Sequence, residues 1–155
     1  MGIKVQIASL RHRFLGHGAA VIGVLLFAAC GSPKVSPHDP QSIYLDAVKH
    51  RNDVLSAIQA QPAPSWTDLR SLSATMAEAE QEELSKLVAA TWPADAQPAI
   101  NALEGEIRLA LPYWHAAATA QTPSEVESDI NKALVYCGGP AAGEVRDALG
   151  LPPAS

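Results

Sequence analysis

The chain has 155 residues, 48% hydrophobic and 17% charged, with a formal net charge of −5 and two cysteines, Cys30 and Cys137. That length can bury the core of a single domain, and two cysteines are too few for a disulfide-built scaffold. The acidic balance argues against nucleic acid as a partner and against electrostatic docking on anionic lipid.

In chain order, Lys4, Arg11 and Arg13 come first, ahead of an apolar run from Phe14 to Ala29. A basic segment followed by an apolar one is the order of a secretory signal. The strongly apolar part begins near Ala19, too short for the ~20 residues of a spanning helix. Basic residues on the amino-terminal side keep that end in the cytoplasm and send the chain beyond Ala29 outward.

The run closes on Leu25-Leu26-Phe27-Ala28-Ala29-Cys30-Gly31. This stretch resembles the lipobox of a bacterial lipoprotein signal peptide, with Phe27 where the family prefers Leu. The resemblance implies cleavage between Ala29 and Cys30 and a diacylglyceryl group on the Cys30 sulfur. It also implies a chain lipid-anchored to the cell membrane on its extracytoplasmic side. One acyl chain binds a membrane only marginally at ~0.8 kcal/mol per buried methylene, whereas two or more make the attachment stable. An ordinary secretory signal cut after Phe27, Ala28 or Gly31 is the alternative.

Removing residues 1–29 leaves 126 residues that carry all sixteen acids and eight of the eleven bases, a net charge of −8. With Cys30 in a thioether, Cys137 has no partner in the chain, so a disulfide is not expected. Residues 30–39 hold Pro33 and Pro37 and read as a Pro/Ser-rich tether, with Pro40 at its end. In a polyproline-like form at ~3.1 Å per residue the nine residues from Gly31 to Asp39 would reach up to about 28 Å.

Residues 40–151 read as an all-α domain, because no stretch alternates apolar and polar residues long enough for a strand. A first helix starts with Asp39 as cap and Pro40 at its first position, carries Tyr44, Ala47, Val48, Val54, Leu55 and Ile58 on one face, and ends before Pro62. Ser65 caps a second helix with Asp68 as its capping-box partner. Trp66, Leu69, Leu72 and Met76, then Leu84, Leu87 and Val88, form its apolar stripes. The acidic run Glu78-Ala79-Glu80-Gln81-Glu82-Glu83 between them reads as a solvated face.

A third helix follows Trp92-Pro93, with Ile100, Leu103, Ile107, Ala110, Leu111 and Trp114 in a helical stripe. Pro112 should kink or break it near Arg108 to Leu111, and Gly105 should mark a close approach of two helices. Thr122, Pro123 and Glu125 open a fourth helix with a capping box, and Val126, Ile130, Ala133, Leu134 and Cys137 line its buried side. A short fifth helix from Pro140 or Ala141 to Leu149 stops at Gly150, and residues 152–155 form a tail. The expected architecture is an antiparallel four-helix bundle with a short fifth carboxy-terminal helix.

No hydrolase elbow, phosphate loop, dinucleotide fingerprint or metalloprotease motif is present, so no catalytic residue and no cofactor is assigned and the chain does not read as an enzyme. Two residue sets could bind something. Asp46, His50 and Asp53 fall at i, i+4 and i+7, which puts two carboxylates and an imidazole on one helix face, as a Zn²⁺ or Cu²⁺ site requires. Lys49, Arg51 and Asn52 around them equally suit a solvated surface. Tyr113, Trp114 and His115 with Cys137 could line a pocket for a small or redox ligand, or hold a haem, although aromatics at this spacing more commonly fill a core. The first functional reading is a non-catalytic lipoprotein that contacts another protein or the envelope. The second is a ligand- or metal-binding lipoprotein that uses one of these two sets.

Overall fold

A computed structural model describes residues 39–60, 64–137 and 139–153. The expected signal peptide, the Cys30 lipidation site and the tether up to residue 38 lie outside the described residues. Five helices are present and, among the described residues, no strand: α1 Pro40–Ala60, α2 Trp66–Ala89, α3 Gln97–Thr119, α4 Pro123–Cys137 and α5 Ala141–Ala148. Four helices pack against one another, and no helix among the described residues is long and apolar enough to cross a membrane.

Helices α1, α2 and α4 start where a side chain takes up a backbone N–H that the first turn leaves open, whereas α3 and α5 start without a side-chain cap. Asp39 Oδ2 accepts from the Ser42 amide at 3.3 Å at the head of α1. At α2 the capping box is complete: Ser65 Oγ accepts from the Asp68 amide at 3.2 Å, and Asp68 Oδ2 from the Ser65 amide at 2.9 Å. The hydrogen bonds from Ser65 hold the Asp68 carboxyl below its ordinary range. Thr122 and Glu125 repeat the device at α4, at 3.3 and 3.0 Å. At the far ends, the indole of buried Trp92 donates to the Leu87 carbonyl at 2.9 Å, and Arg70 Nε donates to the Ala118 carbonyl at 3.2 Å, so side chains meet carbonyls that the helices leave open.

The fifth helix ends in a Schellman turn. Leu151 N–H reaches the Arg146 carbonyl at 2.8 Å and Gly150 N–H the Asp147 carbonyl at 3.1 Å, with Gly150 at φ 66°. A side chain at that position would be strained, which is why glycine stands there.

Backbone packing follows chain order from α1 to α4: α1 lies on α2, α2 on α3 and α3 on α4, with α5 also against α3. Helix α3 is therefore the central element. Ile100, Leu103, Ile107, Ala110 and Trp114 along it are buried, as the stripe predicted. Side chains, not backbones, carry α1 across to α5: Tyr44 Oη donates to the Ala142 carbonyl at 3.4 Å and Gln41 Nε2 to the Leu149 carbonyl at 2.6 Å.

For α3 the structure removes the break expected at Pro112 and the close approach expected at Gly105. The helix runs unbroken through Pro112. Pro112 and Arg108 are both exposed, so water can replace the ladder bond that the proline removes. Gly105 is not a point of close approach: a β-carbon built there meets nothing within 4 Å. The tight glycine is Gly139, where a β-carbon would overlap the Glu106 carboxyl. That carboxyl accepts from the Ala141 amide at the start of α5.

Candidate functional site

The largest departure from the sequence reading lies in the acidic run of α2. Glu78, Gln81 and Glu82 are exposed, but Glu80 and Glu83 are buried, at 1% and 0% exposure. They continue the line Leu69, Ser73, Met76, Glu80, Glu83 and Leu87, all buried at spacings of three and four, and so share the face that meets the core. Part of what read as a solvated face is thus the polar centre of the protein.

Three other helices supply partners. Trp114 of α3 donates its indole N–H to Glu80 Oε1 at 3.0 Å, and Cys137 Sγ of α4 donates to the same oxygen at 2.8 Å. Arg51 of α1 reaches Glu83, with Nε 3.0 Å from Oε2, close enough for an ion pair but not aligned for a hydrogen bond. Glu80 Oε2 and both Glu83 oxygens accept no hydrogen bond from the protein. Two buried carboxylates therefore stand against one guanidinium.

The electrostatics follow from that imbalance. Burial pushes the Glu83 carboxyl up to about 7, with Arg51 opposing and Glu80 adding to the rise. Burial also raises Glu80, against the hydrogen bonds from Cys137 and Trp114 and the charge of Arg51. The Cys137 thiol is driven well above its ordinary range, first by burial and then by the charge and hydrogen bond of Glu80. Burial raises Tyr44, which Arg51 partly offsets. Beside this cluster a small cavity of about 10 Å³, bordered by Arg51, Glu106, Ile107, Tyr136 and Cys137, has room for about one water molecule. The cluster can hold and exchange a proton.

The residues singled out from sequence are divided by the structure. Trp114 and Cys137 meet on Glu80. Tyr113 stands to one side, stacked on Tyr136 with centroids 6.1 Å apart and planes 6° from parallel, while Lys132 lies over its ring at 5.7 Å. His115 is exposed. On α1, Asp46 pairs with Lys86 at 2.9 Å, His50 Nδ1 with Glu82 Oε2 at 2.7 Å, and Asp53 with Lys49 at 2.6 Å. Each is engaged by a different neighbour, and among the described residues no three His, Cys, Asp or Glu side chains stand together as a metal would need.

Sequence reading missed Arg51, Glu80 and Glu83. A signal existed: in the helical register of Met76 and Leu87, both glutamates fall on the core side. The chain matches no protein-family model, no curated protein and no solved structure.

Proposed function

We propose that the protein is a lipid-anchored extracytoplasmic lipoprotein whose helical domain is a non-catalytic interaction module, holding a partner protein or an envelope component near the membrane surface. The diacylglyceryl group on Cys30 would join it to the bilayer, and residues 30–39 would space the domain from it. Support for the anchor comes from the run Leu26-Phe27-Ala28-Ala29-Cys30 and the basic residues before it. The domain is taken as an antiparallel bundle with a short fifth helix, a reading supported by the short connections between consecutive helices that pack together.

One observation carries the non-catalytic half of the reading. Where polar groups of four helices converge, the interior is packed down to a cavity of about one water, far below the several hundred Å³ of an ordinary ligand site. The second reading, a ligand-binding lipoprotein centred near Trp114 and Cys137, draws on the same place, because Arg51, Glu106 and Cys137 all border that cavity.

Intact mass of the mature chain, with and without Cys30→Ala, tests the anchor. A wild-type product starting at Cys30 with added diacylglyceryl mass, released as soluble protein by the substitution, is the expected result. A wild-type product that starts elsewhere and carries no lipid overturns it.

A further inference from the structure

Among the helices, α1 packs its backbone against α2 alone, and the charged side chain it buries is Arg51. That guanidinium is the one cation among the described residues whose charge reaches both buried glutamates. Glu83 faces Arg51 and lies near Tyr44, both from α1, and has Glu80 one turn away on its own helix. Glu80 faces Trp114 from α3 and Cys137 from α4. Glu106 of α3 feels Arg51 across the cavity, and Arg146 of α5 reaches Tyr44. With both glutamates ionised the core keeps a negative charge that one arginine cannot balance, and three carboxylate oxygens have no donor from the protein. One proton on the pair removes that charge.

We propose that Glu80 and Glu83 keep one proton between them while α1 is docked, and that loss of this proton as pH rises loosens α1 from α2. Lifting α1 takes Arg51 away and lets water reach Glu83, so the lifted state tolerates the second negative charge and the docked state does not.

The direction of the effect follows from the raised carboxyl. A glutamate moved from its ordinary value of 4.5 to about 7 holds a proton in the docked state over a range where an exposed glutamate has released it. Docking is thus best supported below the ordinary value, and the support is lost as pH rises through about 7. The exposed rim of the same seam carries a second titratable contact, His50 with Glu82, beside the Lys86–Asp46 pair. The test has to separate it from the interior.

Amide hydrogen exchange of the full chain in detergent micelles, corrected for intrinsic exchange, reads the opening of α1. Its protection should fall about tenfold per pH unit between about pH 5 and 7 and level off above, and Glu83→Gln should abolish most of that fall. Protection that is flat or rises with pH overturns the proposal. A full slope retained in Glu83→Gln also overturns it, since the rim would then carry the effect. If Glu83→Gln does not fold, carbon-13 shifts of the side-chain carboxyls in the wild-type chain decide. One of Glu80 and Glu83 should still be protonated at about pH 6, and two ionised carboxylates there overturn the proposal.

Discussion

Trp114 Nε1 donates to Glu80 Oε1 at 3.0 Å, with both side chains out of water, and so ties the central helix to the acidic face of α2. A buried acid that loses a donor bears the desolvation without the compensation. Trp114→Phe keeps most of the ring but removes the N–H, and should cost about 1–3 kcal/mol in urea unfolding. In a double-mutant cycle with Glu80→Met, which removes the acceptor, the coupling should reach about 1 kcal/mol. Zero coupling would mean that the lost ring volume, not the hydrogen bond, sets the cost.

Gly105 lies inside α3 with open space where a β-carbon would sit. Gly105→Ala should therefore stabilise the domain by about 0.5–1 kcal/mol, seen as a raised Tm. A lowered Tm would show a helix contact at this position. Gly139→Ala should act in the opposite sense, because the new methyl displaces the Glu106 carboxyl from the Ala141 amide.

Cys137 should be a poor nucleophile. The thiolate is the reactive form, and burial together with neighbouring Glu80 disfavours it. In a chain carrying Cys30→Ala, alkylation of Cys137 near neutral pH should be at least about tenfold slower folded than in urea. Adding Glu80→Gln should speed the folded reaction. Equal rates in the folded and unfolded chain would contradict the buried, acid-bonded thiol.

On α1, His50 already shares its Nδ1 with Glu82, while Asp46 and Asp53 hold lysines. Calorimetric titration with Zn²⁺ should give the same result for wild type and His50→Ala, and the substitution should leave Tm nearly unchanged, as such exposed pairs are weak. Zinc affinity lost in the variant would restore Asp46, His50 and Asp53 as a site.

Local signals in this chain were legible because they act over three or four residues. The caps at Asp39, Ser65 and Thr122, the Schellman glycine at Gly150 and the α3 stripe from Ile100 to Trp114 all stand where periodicity and capping chemistry put them. Tertiary facts were less so. Glu80 and Glu83 bear the residue type of a surface and the register of a core, and only partners from α1, α3 and α4 make their burial tolerable. Val88 fails in the other direction, apolar in type yet 56% exposed. Pro112 leaves its helix unbroken, and sequence carries no sign that it faces water. The site could have been found by following register past residue type, which points inward at both glutamates but does not identify Arg51 as their counter-charge.

The bond from Gln41 Nε2 to the Leu149 carbonyl fastens two residues 108 positions apart in sequence. The polypeptide thus comes into the domain and goes out of it at one place, and the fold is nearly a closed ring. A few linking residues between positions 39 and 151 would complete that ring at small entropic cost and leave it free to be opened at the connection between α2 and α3. Anything fused after Pro153 would emerge near the start of α1. A carboxy-terminal label would therefore report on the end of the domain where α1 begins, and a label in the α2–α3 connection on another part of it.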